Sequence, residues 1–279
     1  MTATAKIRKP AVAGMFYPED PEDLRSMVDT LLAAADPVPP EGRIAGFILP
    51  HAGYPYSGLT AAYGYKLLAS RMPDTVVIIS PSHREYFNGI SVYDGDEFLT
   101  PLGSLTIDRK LRDRLTATEP RIRPGENGHR REHAIEVHLP FLQRLGGRPA
   151  ILPIVMGDQN RTWCFLLGEA LAATISGSNT VVIASSDLSH YHSADEAGRL
   201  DAVIERDIAD GDYERLMRNL ESGRTEACGG GPAVSTLLAA ARLGAQRTRI
   251  LHRCHSGDVT GDDSSVVGYL SAVIHHSSS

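Results

Sequence analysis

Three segments of this chain share one pattern, and that pattern limits the fold more than anything else in the sequence. Phe47-Ile48-Leu49-Pro50-His51, Val76-Val77-Ile78-Ile79-Ser80-Pro81-Ser82-His83 and Val181-Val182-Ile183-Ala184-Ser185-Ser186-Asp187-Leu188-Ser189-His190 each pass from apolar, largely β-branched residues straight into a polar loop that carries histidine. A short, uninterrupted apolar run reads as a strand buried on both faces, which is where strands sit in a parallel sheet covered by helices. Ligands of such sheets bind beyond the C-terminal ends of the strands. His51, His83 and His190 are therefore expected along one edge of one sheet.

The intervening chain supplies helices at matching intervals. Asp20 and Pro21 give an N-cap and a first-turn proline, and Leu24, Met27, Val28, Leu31 and Leu32 keep a helical spacing up to Ala35. Further helices are expected over 59–69, 108–117, 163–173, 194–209, 213–220 and 233–243. Additional strands are expected at 90–93, 105–107, 151–155, 249–252 and 266–274. The loop at 121–131 carries no signal for either. With 279 residues, 42% hydrophobic and 22% charged, this alternation fits a single α/β domain: a central, largely parallel or mixed sheet flanked by helices. Residues 10–275 are assigned to that domain, 1–9 to a flexible lead and 276–279 to a tail.

Charge and cysteine usage narrow the function classes. A net charge of −6 without a basic cluster leaves no footprint for a phosphate backbone, so nucleic acid is not expected as a partner. Three cysteines, an odd number in a long chain, point to a reducing compartment rather than a disulfide framework. No apolar run reaches the ~18 residues of a membrane span, and the reading is cytoplasmic. No GxSxG elbow, P-loop or GxGxxG opens a helix, so serine hydrolase, NTPase and dinucleotide readings have no support.

Two more segments bear on chemistry. Glu226-Ala227-Cys228-Gly229-Gly230-Gly231-Pro232 leads into a helical run, with glycines that allow close backbone approach and Cys228 just before a positive helix end, a place that favours the thiolate. Cys228 reads either as a small buried thiol at a helix cap or as a ligand or nucleophile. Glu132-His133-Ala134-Ile135-Glu136-Val137-His138-Leu139-Pro140 lacks HExxH order, so it is no zincin helix. It reads as a helix with Ile135, Leu139 and Leu142 inward and wet charges, or as a source of Glu132 and His133 behind a metal site. Three strand-end histidines together with Cys228 favour a metal. Two neutral imidazoles and one anion leave about three positions open on a six-coordinate ion, the logic of sites that bind a substrate and dioxygen together.

These residues carry a resemblance. LPHAGYPYSG with His51, SPSHREYF with His83, EHAIEVHLPFL, SSDLSHY with Asp187 and His190, EACGGGP with Cys228, and DDSSVVGY occur in one order from the PAVAGMFYP segment to the last strand. Together they resemble the Memo family, called AmmeMemoRadiSam system protein B in bacteria. The resemblance implies a fold like that of the class III extradiol dioxygenases, with His51, His83 and Cys228 at the metal-ligand positions and His190 and Asp187 at the nearby histidine and acid. Where the dioxygenases have a glutamate ligand this chain has Cys228, and Glu226 stands close enough in sequence to replace or supplement it. The resemblance implies iron(II), with copper as the second candidate because thiolate is a softer ligand. It further implies an oxidoreductase acting on an aromatic or enediol small molecule with dioxygen, or else a non-catalytic metal-binding or protein-interaction module. An AMMECR1-like protein and a radical-SAM enzyme are the partners it implies.

Overall fold

The computed structural model of the chain describes residues 5–277. The chain enters through a two-residue strand, β1 (Ile7–Arg8), and helix α1 (Pro21–Ala34), whose N-cap Asp20 accepts amide hydrogens from Glu22 and Asp23. A strand, helix and strand follow: β2 (Ile44–Leu49), α2 (Tyr54–Ala69) and β3 (Thr75–Pro81). Short strands β4 (Ile90–Tyr93), β5 (Glu97–Thr100) and β6 (Gly103–Thr106) lead to α3 (Arg109–Thr118) and β7 (Ile122–Gly125). A 3₁₀ turn at Glu136–His138 runs into α4 (Leu139–Arg144), and then β8 (Ala150–Met156), α5 (Arg161–Ile175) and β9 (Thr180–Ser185) resume the alternation. The chain closes with β10 (His190–His192), α6 (Ala194–Ala209), α7 (Tyr213–Glu221), α8 (Gly230–Arg242), β11 (Arg247–His255), α9 (Gly257–Thr260) and β12 (Val266–His275).

Among the described residues these strands form a nine-stranded mixed sheet and a separate three-stranded one, β1-β5-β6. At the centre of the large sheet β2, β9, β3 and β8 lie side by side and parallel, in that order. Antiparallel strands flank them: β12 against β2, and β4 against β8. Every residue of β2 and β3 is buried, and alternate residues feed different cores. Val77 and Ile79 pack with α5 and α8, while Val76 and Ile78 pack with α1, α2 and α4. This is why the apolar runs do not alternate: a helix layer covers each face and both sets of side chains gain by leaving water. The α/β architecture, single domain and mixed sheet are as the sequence indicates.

Four readings change. The loop at 121–131 contains edge strand β7, which pairs in parallel with β4; its Pro124 is tolerated because an edge strand need not donate on its free side. Glu132 to His138 is not a helix with wet charges: Glu132, Glu136 and His138 are each at most 1% exposed. The supposed lead is structured from Ile7, which pairs with Glu97. Buried Arg8 forms an ion pair with Glu136 and donates through Nη2 to the Glu132 carbonyl at 2.5 Å. Residues 1–4 lie outside the described part. At the other end, the His276 amide donates to the Arg43 carbonyl at 2.9 Å, so the supposed tail is held at its first residue, while Ser278 and Ser279 lie outside the described residues.

Glu136 is the hub of the N-terminal attachment. Its carboxylate takes hydrogen bonds from the Ala11 amide (2.7 Å), the Val12 amide (3.0 Å) and the Tyr17 hydroxyl (2.5 Å), besides Arg8. Removing one partner of a buried pair strands the other, so Glu136→Ala is expected to lower unfolding stability by ~3–5 kcal/mol. Arg144→Ala, which breaks a surface pair with Asp29, should cost only ~0–1 kcal/mol. Urea unfolding of the two variants checks this, and equal losses would show that the buried hub contributes nothing special.

Candidate metal centre

The parallel strands β2, β9 and β3 are neighbours, so their C-terminal loops meet. His51 follows β2, His83 follows β3, and Ser185 ends β9 with Ser186 to His190 directly after it. Cys228 lies just ahead of α8. It reaches the sheet because Gly229 lies against the end of β9: a Cβ there would sit 2.1 Å from the Ser185 carbonyl oxygen and 2.7 Å from the Ser186 Cβ. Only glycine fits so close an approach. Helix α8 begins at Gly230, three residues before the expected start at residue 233, so Pro232 falls inside its first turn.

One ligand atom each from His51, His83 and Cys228 lies within 4.8 Å of the others. The imidazoles are held so that the nitrogen facing the pocket has a free lone pair. Ser185 Oγ donates its only proton to the Ala134 carbonyl at 2.6 Å, so it can only accept from His51 Nδ1 at 2.7 Å and His138 Nε2 at 2.8 Å. His51 is thereby fixed as the Nδ1–H tautomer, and its Nε2 stands 3.1 Å from Cys228 Sγ. His138 Nδ1 in turn accepts from the Tyr65 hydroxyl at 2.7 Å. His83 Nδ1 faces Glu132 Oε1 at 2.8 Å, and a carboxylate can only accept there. Its Nε2 is free as well. Orienting a ligand histidine through its second nitrogen is the usual support of a metal site.

Glu132 is the acid behind His83. Its carboxylate accepts from the amides of His83 (2.7 Å), His133 (3.0 Å) and Ala134 (3.0 Å). Burial works against its charge, but the His83 ring and these amides outweigh burial and hold the carboxyl below its ordinary range. Burial, then the surrounding imidazoles, pushes His51 well below 6.5. The sequence reading of a helix-stabilised thiolate at Cys228 is reversed here: burial and then the nearby Asp187 push the thiol well up, against amide hydrogen bonds from Asp187 and Gly229. Low dielectric costs a bare thiolate more than a helix end returns.

Asp187 and His190 are both present, but they do not form a pair. Asp187 Oδ1 accepts the His51 amide at 2.7 Å and Oδ2 lies 3.9 Å from His51 Nε2, while burial raises its pKa to about 7. The His190 ring is oriented by the Leu188 carbonyl, 2.8 Å from Nδ1, which leaves Nε2 as an acceptor; burial lowers its pKa. Glu226 is occupied elsewhere, accepting from the His190 amide at 3.0 Å and the His192 ring at 2.9 Å, and it is outside the three-ligand cluster. These groups line a pocket of about 650 Å³ whose walls are Phe16, His133, Leu188, Val267 and Tyr269. Sequence reasoning missed Ser185, His138 and Tyr65 as supports. The signal was a serine ending an apolar strand, where a hydroxyl must find partners at the sheet edge.

The family model for Memo-like proteins matches residues 8–273. The chain belongs to the Memo family. A MEMO1 family protein of Methanosarcina barkeri is 39% identical over 276 residues, covering 96% of this chain and 100% of that one. Another, of Nitrosopumilus maritimus, is 35% identical over 268 residues, covering 94% and 98%. Among solved structures, an uncharacterized protein from Escherichia coli K12 matches with a TM-score of 0.53 and 16% identity, over 83% of this chain and all of that one, a likeness of fold alone. No helix among the described residues is long and apolar enough to cross a membrane.

The buried histidines make stability depend on pH. Burial drives the pKa of His129 to about 3, His133 to about 4 and His138 to about 3, and His51 well below 6.5. Between pH ~6.5 and ~4 the unfolded Memo-like chain therefore binds more protons than the folded one, so stability falls as pH falls, by up to ~1.4 kcal/mol per pH unit for each histidine. Asp187 and Asp201, raised by burial, act in the opposite sense but are fewer. Urea unfolding at pH 7 and pH 5 should show a clear loss at pH 5, smaller in His138→Gln. An unchanged midpoint would contradict the buried neutral state.

Proposed function

We propose that His51, His83 and Cys228 hold a transition metal, iron(II) first and copper second, and that the protein is an oxidoreductase of dioxygenase type acting on an aromatic or enediol small molecule. The observation that carries this reading is the state of the two imidazoles. Each is anchored through Nδ1, by Ser185 or Glu132, which leaves Nε2 on the side of the Cys228 sulfur; His51 Nε2 faces the thiol at 3.1 Å. The donor set, two neutral nitrogens and a thiol that loses its proton on binding, fits a borderline or soft metal. Bound iron(II) would supply Lewis-acid and one-electron redox chemistry towards dioxygen.

The chain's own residues do the rest. Phe16 and Tyr269 supply aromatic and Leu188 aliphatic wall to the pocket, which has room for a small aromatic molecule beside the ligands. His190 accepts a proton at Nε2 from a substrate hydroxyl, because its Nδ1 proton is committed to the Leu188 carbonyl and burial keeps the ring neutral near pH 7. Asp187 holds the His51 backbone in place through the amide hydrogen bond rather than orienting His190.

Anaerobically purified protein should contain a metal in about stoichiometric amount, and catechols should then drive oxygen uptake coupled to ring opening. Glu132→Gln should weaken metal binding by roughly 10–100-fold, and Cys228→Ser, which removes a ligand atom, by more. Cys228 should label with alkylating agents in metal-free protein and be protected by added metal, whereas buried Cys164 stays unreactive throughout. Unchanged metal content in His51→Ala, His83→Ala and Cys228→Ser would refute the ligand set. Metal bound by those residues without turnover would assign the pocket to a binding module instead.

A further inference from the structure

We infer a second ligand site, for a small planar molecule that carries an oxyanion, in the pocket between edge strand β7 and the start of α5. This pocket has a volume of about 330 Å³ and shares no lining residue with the candidate metal pocket. Its charged lining is Arg121 and Arg123 alone, with no carboxylate, although the chain carries 34 acidic residues against 28 basic ones. Arg121 is engaged: Nε and Nη2 form a fork with Glu119 at 2.8 and 2.7 Å, and that pairing holds Glu119 at about 2. The Arg123 guanidinium has no hydrogen bond or ion pair among the described residues. A planar five-donor fork left free beside a pocket matches a carboxylate or phosphate group.

The other walls suit a flat ring. Trp163, the chain's single tryptophan, is fixed by its Nε1–H donating to Asn88 Oδ1 at 3.0 Å. The ring lies against the backbone at Gly89, where an added Cβ would meet it at 3.4 Å, and its remaining surface lines the pocket with Phe87. Such an anchored indole is a ready stacking surface. Asn88 keeps its amide N–H₂ as a donor, since its oxygen is taken. A free cation and an anchored aromatic plane thus meet in one cleft.

The single indole N–H gives one cross-peak in a ¹H–¹⁵N spectrum, which reports this pocket and nothing else. Full-length labelled protein would be titrated with benzoate and with adenosine monophosphate, and with benzamide and adenosine as uncharged counterparts. A saturable indole shift is expected with at least one of the two anions, and which of them saturates distinguishes a carboxylate from a phosphate source. The uncharged counterpart should bind about tenfold more weakly or worse, and Arg123→Ala should lower affinity for the anion by a similar factor while the rest of the spectrum stays in place. Arg144→Ala, on the exposed pair with Asp29, should leave affinity unchanged. No saturable shift with either anion, or equal affinity in Arg123→Ala, would overturn the assignment.

Discussion

A sheet covered by helices on both faces can place polar chemistry only at its ends, and this constraint organises the molecule. Along β2, β3 and β9 almost every side chain is buried and apolar, so nothing between the strand ends can carry charge or bind a polar ligand. The polar ends of these strands and the loops after them therefore meet at one edge: His51, His83 and the 185–190 segment. Because β9 lies between β2 and β3, its loop is the one that touches both neighbours. Ser185, its last residue, is accordingly the point where His51, His138 and the Ala134 carbonyl converge.

The second organising element is the 129–138 segment, which carries three buried or nearly buried histidines and two buried acids. Neither acid is stranded. Glu136 is neutralised by Arg8 and ties β1 and the Ala11 to Tyr17 stretch to the body of the protein. Glu132, next to it, turns its carboxylate the other way and fixes His83. Arg8 contacts both, one through the carboxylate and one through the backbone carbonyl, so the attachment of the N-terminus and the orientation of a candidate ligand rest on the same guanidinium. Anchoring the acids in this way lets the site keep a carboxylate in a low-dielectric wall at modest cost.

The sequence made the apolar framework legible and the polar framework only partly so. Continuous runs such as Val76 to Ile79 announce strands buried on both faces, and the histidines that end them announce the edge where they gather. The 132–140 segment was opaque for a physical reason: its alternation of polar and apolar residues fits a helix surface, and the sequence gives no sign that Arg8, more than 120 residues away, neutralises Glu136. Long-range pairing of a charge is what converts a wet face into a buried one, and no local pattern encodes it. Ser185, His138 and Tyr65 were hidden for a related reason, since each is an ordinary residue until the strand order brings them together. Strand order itself, with β9 inserted between β2 and β3, follows from packing of the whole chain rather than from any of the three runs.

The state of Cys228 connects these levels. A helix start and two amide hydrogens favour its thiolate, yet burial beside Asp187 favours the thiol, and burial prevails. The neutral state of the His51 ring and of the thiol is consistent with the cost of keeping an unpaired charge in this wall. For a cation held as proposed, the same low dielectric that penalises a lone thiolate would strengthen its attraction to the ion, and the proton between Sγ and the His51 nitrogen would be the one displaced. Gly229 makes this possible by allowing the backbone to lie against Ser185, so one glycine sets how close the sulfur stands to a nitrogen whose tautomer that same serine fixes. Burial, tautomer and close approach are three consequences of the single packing contact between the end of β9 and the start of α8.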